Sequence, residues 1–435
     1  MRRSLPVLVA GAGAVTIALL AGTGAAQMGT VILVLVLTVV IVPIGWRLTG
    51  DRDPWLWWVV ALGFFAKLTG SSLRYWVLVS QYGGVGDATG YHGRGIRLAE
   101  SWRTLQIPAL DGGMSVGTQA TRWVTGLLYA PYQPTMLGGF FLFGTLAFLG
   151  QVLFYTAFRR TVPAGNLKVY AFFIFFLPAL VFWPSSIGKE SLMLFCLGTT
   201  AYGLARTMDG FRPVWLLVAA VGIGGAGLVR PHIAALVAAA FTVAVVAGRS
   251  RLTWWSLFRR LGVLGVGVVL VVVSLGTFGD RYGVEAADDV DPFLSELQRR
   301  TQQGGSSVEG EAVLSLRQLP GGTLRVLFRP LPHEATNPQA LASGVESAAL
   351  LAVIIWKLPA MVRRIRRIRT PYLLMSFAFT VGFTVAFSAV FNLGILARQR
   401  SQVLPFLLAV LVGLGWESRS ASGTTEASDP ELVTA

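Results

Sequence analysis

Long apolar runs, separated by short polar and charged segments, recur along the whole chain of 435 residues. A transmembrane helix needs about 20 mainly apolar residues. The pattern therefore predicts an all-α polytopic membrane protein with about twelve transmembrane helices. The predicted spans are Leu5–Leu20, Thr30–Trp46, Pro54–Val79, Thr135–Tyr155, Val169–Trp183, Ser191–Ala205, Pro213–Leu228, Ile233–Val246, Leu261–Phe278, Ala342–Leu358, Tyr372–Phe391 and Val403–Trp416.

The segments between these spans predict one transmembrane domain over residues 1–416 and a disordered cytoplasmic tail over residues 417–435. Two outer segments are long, at about residues 80–134 and 279–339. The first contains helix-like stretches at Tyr91–Thr104 and Thr118–Tyr129, whose mixed apolar and basic residues suit helices in the headgroup layer. The first span is a signal anchor or a cleaved signal peptide.

Positive charge sets the predicted orientation. With a cytoplasmic N-terminus, the inward segments hold twenty Lys and Arg residues, whereas the four short outward loops hold only Lys189, Arg230, Arg398 and Arg400. Cytoplasmic loops carry the excess of positive residues in membrane proteins. We therefore predict a multi-pass protein of a bacterial plasma membrane, with both termini cytoplasmic.

The composition agrees with a membrane protein, since 54% of residues are hydrophobic and 13% are charged. The net charge of +15 is spread over short loops, which excludes a nucleic-acid-binding patch. The single cysteine, Cys196, lies in an apolar run and excludes a disulfide framework.

The first candidate for chemistry is Asp87, which lies between Gly86 and Ala88 just after the third span. A partly desolvated carboxylate there can accept a proton from a sugar hydroxyl. Asp is equally a preferred N-cap, so Asp87 alternatively caps the following helix. Tyr91, one helical turn further on, shares a face with Asp87, and His92 follows it. We predict Asp87 as catalytic and Tyr91 and His92 as substrate-binding.

The few charged residues of the predicted outward turns are further candidates for chemistry. Lys189 and Glu190 follow Gly188 at a helix start, where free N–H groups and a positive side chain can cradle an anion. The alternative is a charge pair in the headgroup layer. The remaining candidates in these turns are Arg230 with His232, and Arg398 with Arg400. Arg398 and Arg400 are expected to bind a phosphate from two sides. The alternative for both turns is that their arginines contact lipid phosphates as anchors.

A proline-rich segment precedes the tenth span and carries His333 and Glu334. This stiff segment is expected either to place one of these side chains over the outer opening of the site at the membrane surface, or to act only as a rigid connector. Lys67 lies near the middle of the third span, where a charge is costly unless it is paired or faces a cavity. Arg74 lies near the outer end of that span and is expected to face the same cavity as Asp87.

No sequence motif for a metal or nucleotide cofactor is present, and there is no G-x-S-x-G or H-E-x-x-H motif. The sequence therefore identifies no definite cofactor. Mg²⁺ or Mn²⁺ remains possible, held by Asp87 with Glu190 or Glu334 and by phosphate oxygens.

The chain resembles the C-type membrane glycosyltransferases, which use polyprenyl-phosphate sugars, and the related bacterial polysaccharide polymerases. The resemblance is carried by Gly86-Asp87-Ala88 with Tyr91-His92, by the stretch Phe182–Glu190 and by Arg398-Gln399-Arg400. It implies that Asp87 is the acid that acts on the acceptor. It implies phosphate-binding roles for Lys189, Arg230, Arg398 and Arg400.

These observations favour glycosyl transfer at the outer membrane face, from a polyprenyl-phosphate or -diphosphate sugar to a cell-envelope glycan or lipid acceptor. The partners would be the lipid-linked donor, the acceptor and membrane lipids. A polysaccharide polymerase uses the same chemistry. A transporter or flippase, and a non-catalytic membrane protein of envelope assembly, are the alternatives from other classes. The absence of a visible internal repeat weighs against transporters built from duplicated halves.

Overall fold

In a computed structural model, the regular secondary structure of the described regions is helical, and no strand occurs in them. They are residues 25–50, 53–106, 116–132, 134–209, 212–247 and 313–417 without 314 and 316, and the single positions 11, 13 and 265. The predicted spans Leu5–Leu20 (apart from positions 11 and 13) and Leu261–Phe278 (apart from position 265) lie outside them. So do most of the second outer segment and the predicted tail after Glu417.

The helices are numbered here in chain order. The first eight are α1 (Ala25–Thr49), α2 (Pro54–Tyr82), α3 (Asp87–Arg103), α4 (Val116–Tyr129), α5 (Met136–Thr161), α6 (Leu167–Phe176), α7 (Pro178–Phe182) and α8 (Lys189–Asp209). The others are α9 (Pro213–Val229), α10 (Pro231–Ala247), α11 (Leu319–Phe328), α12 (Pro338–Arg363), α13 (Pro371–Phe387), α14 (Leu393–Gln399) and α15 (Leu404–Gly415). Short 3₁₀ helices occupy Pro332–Glu334, Ile365–Arg369 and Arg400–Gln402.

Four of these helices are long and apolar enough to cross a membrane: α1 from Met28, α2, α5 and α12. A fifth candidate forms if the pair of α14 with its 3₁₀ extension and α15, which is bent by 62°, counts as one broken span. Helices α6, α9, α10 and α13 are apolar but have only 10–17 residues. The described chain is therefore an all-helical protein with four or five candidate membrane spans, and the predicted twelve are not all present at spanning length.

The predicted span Val169–Trp183 is wrong as a continuous helix, because α6 ends at Phe176 and α7 begins at Pro178. Proline lacks an N–H donor and disfavours helical geometry in the residue before it. Two distant side chains bind the backbone groups near the break. The Lys67 ammonium donates to the Leu180 carbonyl at 2.6 Å, and a Glu346 carboxylate oxygen accepts from the Ala179 N–H at 2.7 Å.

The interhelical loops explain two other differences from prediction. The expected span Tyr372–Phe391 ends at Phe387, and Arg398 lies on the helix α14 rather than in a short turn. Asn392 begins α14, since its side-chain oxygen accepts from the N–H of Ile395 at 3.0 Å. The predicted headgroup-layer segments do form helices, α3 and α4.

Segments predicted to face outward lie together at one end of the bundle. There, Glu190 contacts Arg230 and Arg398, and the Tyr82 hydroxyl lies 3.5 Å from the amide oxygen of Gln339. Segments predicted to face inward meet at the opposite end. There, the Arg159 guanidinium donates to the Thr49 carbonyl and Arg364 pairs with Glu417. We call these ends the acidic-site end and the Arg-rich end.

Helix α8 is central in the bundle and packs on α5 through glycine. A methyl group built on Gly198 would collide with the backbone of Gly150, and one on Gly150 would collide with the Leu194 carbonyl. Small residues allow helix backbones to approach closely in membranes, where packing rather than the hydrophobic effect holds helices together.

We predict that Gly198→Ala lowers the free energy of unfolding by about 1–3 kcal/mol, because the added methyl forces α5 and α8 apart. The measurement is the unfolding midpoint of the purified chain in detergent. Gly224→Ala in α9 is the matched control, since a methyl there meets no atom within 4 Å. Equal midpoints for the two variants would contradict the close α5–α8 contact.

Candidate functional site

The candidate site is centred on a buried carboxylate, that of Glu190 in the first turn of α8, which is 1% exposed. Its two oxygens bind different arginines. Arg230, between α9 and α10, donates from Nη2 to Oε1 at 2.6 Å, and Arg398 of α14 donates from Nη2 to Oε2 at 2.8 Å. The carboxylate therefore joins three separate regions of the chain.

The electrostatic balance at Glu190 favours the charged form. Burial alone would raise the pKa of this carboxyl, but the guanidiniums of Arg398 and Arg230 outweigh it and hold the pKa well below its usual range. Glu190 is thus an internal counter-ion. A second contact fixes Arg230, whose Nη1 donates to the Gln399 side-chain oxygen at 2.5 Å.

Asp87 lies beside this cluster, with a carboxylate oxygen 3.8 Å from Nη2 of Arg398. Two glycines in the left-handed conformation, Gly83 and Gly84, end α2 and turn the chain toward α3. The side chain of Asp87 is 68% exposed, so the expected partial desolvation is wrong. The N-cap is Gly86, and Asp87 is the first helical residue without a capping hydrogen bond, which does not support the capping alternative.

Arg74, on the candidate span α2, reaches the same place. Its guanidinium lies over the rings of Phe182 and Trp183, 5.0 and 5.1 Å from their centroids. The Arg74 side chain has no ion-pair or hydrogen-bond partner among the residues that the structure describes. Cation–π contacts hold the guanidinium in place but leave its N–H donors available to an anion.

A cavity of about 660 Å³ connects these groups. As expected, Arg74 and Asp87 both line it, together with Arg398. Candidate spans α2 and α12 flank the cavity. The rest of its lining combines the ion pair of Arg329 and Glu334 with apolar, aromatic and amide side chains, including Leu78, Tyr82, Phe140, Trp183, Asn337, Gln339, Ala340 and Leu393.

The structure brings Tyr91 and Lys189 close to this cluster without placing them in the cavity wall. The Lys189 ammonium donates to the Thr118 hydroxyl at 3.2 Å, and Tyr91 also hydrogen-bonds Thr118. Burial, and then the Asp87 carboxylate, raise the pKa of the Tyr91 phenol. These contacts tie α3, α4 and α8 together beneath Asp87.

Four other predicted residues lie apart from the cavity. His92 contacts the Tyr129 hydroxyl at 2.9 Å, joining α3 to α4, and burial lowers its pKa. His232 packs beside the ring of Phe387, and His333 is exposed. Arg400 does not join Arg398 as a second phosphate ligand.

Arg400 is instead buried and donates from Nη1 to the carbonyls of Leu327 and Arg329 and to the Ser347 hydroxyl, at 2.8, 3.3 and 2.9 Å. The paired grip expected of Arg398 and Arg400 is therefore wrong. On a helical segment, side chains two positions apart point to different sides.

The acids do not fit a metal site. Both Glu190 oxygens accept from arginine, and the Glu334 side chain accepts from Nε of Arg329 and from the Leu331 N–H, each at 2.7 Å. Within the described chain, no group of three His, Cys, Asp or Glu side chains could hold a metal ion. The expected pairing of Asp87 with either glutamate is not supported.

Sequence reasoning missed three contributors to the site. Trp183 and Phe182 hold Arg74, and Gln399 holds Arg230, although all three lie inside stretches that the sequence singled out. Gln399 lies between two arginines in the sequence, whereas no residue near Phe182 and Trp183 in the sequence points to Arg74. Comparison with protein-family models, with curated proteins and with solved structures gives no match for this chain.

We predict that Glu190→Gln lowers the free energy of unfolding by about 3–5 kcal/mol, because it leaves two guanidiniums without their counter-ion. The measurement is the unfolding midpoint in detergent. The matched control is Glu100→Gln on α3, whose pair with Arg103 is largely exposed and is expected to contribute less than about 1 kcal/mol. Similar losses in both variants would contradict a buried ionic centre.

The lowered pKa of Glu190 also predicts how the stability difference between wild type and Glu190→Gln depends on pH. Because the folded pKa of Glu190 is lowered, its contribution is complete above the unfolded value of about 4.3 and is lost as pH falls through the folded value. We therefore expect the stability difference between wild type and Glu190→Gln to be constant near neutral pH and to narrow only below about pH 4. Unfolding midpoints across this range test it, and narrowing already near pH 6 would contradict the lowered pKa.

Proposed function

We propose that this chain catalyses glycosyl transfer from a polyprenyl-phosphate or -diphosphate sugar to a cell-envelope glycan or lipid. The observation that carries the proposal is that one cavity is lined by Arg74, by Arg398 and by Asp87 with its exposed carboxylate. Candidate membrane spans α2 and α12 flank this cavity, which suits a donor whose tail stays in the lipid.

The donor phosphate would bind Arg74 and Arg398. In the cluster, Arg74, Arg230 and Arg398 exceed Glu190 and Asp87 by one positive charge, so the site favours an anion. Charge-assisted hydrogen bonds from guanidinium to phosphate are strong and geometrically specific. Negative charge grows on the phosphate oxygen as the bond to the sugar breaks, and fixed cations stabilise that transition state most.

Asp87 would act on the acceptor. In the reaction, the acceptor hydroxyl oxygen forms a bond to the anomeric carbon, the bond from that carbon to the phosphate oxygen breaks, and the hydroxyl proton passes to the Asp87 carboxylate. The polyprenyl (di)phosphate leaves with the bonding electron pair and needs little acid catalysis. The exposure of Asp87 supports this role, because an acceptor arriving from the aqueous side can reach it.

The proposal includes a topology of about twelve spans in a bacterial plasma membrane, with cytoplasmic termini and the acidic-site end outside. The excess of positive residues in segments at the Arg-rich end supports this orientation. A polymerase that joins lipid-diphosphate oligosaccharides would use the same groups. A polymerase would give products with a series of chain lengths, whereas a single-sugar transferase would add one sugar residue.

We predict that Asp87→Asn abolishes transfer in cells, since it removes the proton acceptor with little change in shape. Lipid-linked sugars and envelope glycans would be profiled in cells with wild type, a deletion, Asp87→Asn and the control Glu100→Gln, with equal protein in the membrane. We expect the deletion and Asp87→Asn to accumulate the same lipid-linked sugar and to lose a glycan. An effect of the deletion alone would favour a transporter or a non-catalytic partner.

We predict that Arg74→Gln reduces transfer by at least about tenfold, because it removes a cation from the departing phosphate. Arg74→Lys keeps the charge but loses the planar fork, so we expect intermediate activity. Arg97→Gln, an exposed change on α3, is the control for lost charge. Transfer by purified chain from a synthetic lipid-linked sugar measures the effect, and wild-type activity in Arg74→Gln would exclude Arg74 from the donor site.

A further inference from the structure

The Arg-rich end carries a basic turn, defined here as Arg363–Pro371, which joins α12 to α13. Five arginines fall within seven positions of this turn, at 363, 364, 366, 367 and 369. The 3₁₀ helix Ile365–Arg369 directs them around a tight connection. None of the functions considered above uses them.

Two of the five arginines fix the turn to the bundle. Arg364 and Arg367 share one carboxylate oxygen of Glu417, at 3.0 and 3.2 Å, and Arg364 also donates to the Leu414 carbonyl at 3.3 Å. These contacts hold the turn against the end of α15.

The other three arginines are differently placed. The side chains of Arg363, Arg366 and Arg369 make no ion pair or hydrogen bond within the part of the chain that the structure describes. Arg366 and Arg369 line a concavity of about 350 Å³ together with Arg367, Thr370 and Pro371. An anion in it would meet the guanidiniums of Arg366 and Arg369, which have no acidic partner among the described residues.

The surroundings of the turn identify the anion as part of a lipid. Ile365 within the turn and Val362 just before it are exposed apolar residues, and Trp356 is exposed about two helical turns earlier on α12. The Lys357 ammonium lies between the rings of Trp356 and Trp416, 3.7 and 4.5 Å from their centroids. Tryptophan beside basic residues marks the membrane–water interface, where acyl chains and phosphates meet.

We propose that the basic turn is a binding site for an anionic phospholipid, whose phosphate contacts Arg366 and Arg369 and whose acyl chains cover the exposed apolar face of α12. Basic pockets beside membrane helices recognise such headgroups. The site is independent of glycosyl transfer. It would hold the end of α12 opposite to the one that lines the main cavity.

The test uses the purified full chain in mixed micelles, with phosphatidylglycerol as the probe and phosphatidylcholine as the zwitterionic comparison. Bound lipid is counted by native mass spectrometry. We expect tight, saturable binding of phosphatidylglycerol, weakened roughly thirty-fold in Arg366→Gln/Arg369→Gln, from about 1 kcal/mol for each basic residue. The unfolding midpoint without added lipid should be unchanged, because neither side chain has a partner to lose.

The matched control is Arg47→Gln/Arg212→Gln, which removes two positive charges from the same end outside the turn. It should bind phosphatidylglycerol like wild type. Equal weakening in both double variants would show general surface attraction and overturn the site. Equal binding of the two lipids by wild type would also overturn it. Displacement by inorganic phosphate or glycerol phosphate at the lipid's own concentration would reassign it as a site for free anions.

Discussion

The ion pairs of Glu190 hold the acidic-site end together. This carboxylate is buried at the start of α8, and its two oxygens meet arginines that come from the α9–α10 connection and from α14. A buried charge is tolerated only when it is paired and hydrogen-bonded, so these three regions must assemble together or leave charge exposed to an apolar interior. Arg398, once fixed by Glu190, is left to face Asp87 and the cavity.

Two kinds of cation consequently coexist at this end. Arg230 is committed to Glu190 and Gln399, whereas Arg74 is held by aromatic faces that do not compete for its N–H donors. Arg398 combines both properties, because its guanidinium binds Glu190 and also lines the cavity. A site with both kinds combines a rigid frame with donors ready for a ligand, which is the preorganisation that electrostatic catalysis requires.

The sequence predicted the existence of most helices, because long apolar runs report them directly. It also predicted a common cavity for Arg74 and Asp87, since both lie at the same end of neighbouring elements. The break before Pro178 was readable from the proline itself. The helix α11 was not predicted, because it is short and lies in a segment without a long apolar run.

The roles of individual charges were harder to predict. Arg398 and Arg400 are two positions apart on a helical segment, so they point to different sides, and the tertiary packing places one at the cavity and the other in the interior. Likewise, the sequence around Glu190 does not indicate that its ion-pair partners are Arg230 and Arg398. Such pairings depend on tertiary contacts between distant segments, which single-sequence patterns do not contain.

The interrupted helix pair α6–α7 has a consequence for how the bundle can move. Carriers that work by alternating access often leave the backbone of a broken helix free to coordinate a passing ion. Here Lys67 of α2 and Glu346 of α12 already occupy the Leu180 carbonyl and the Ala179 amide. Rocking α7 against either neighbour would break one of these hydrogen bonds, so α7 and the adjoining Trp183 are fixed relative to both α2 and α12.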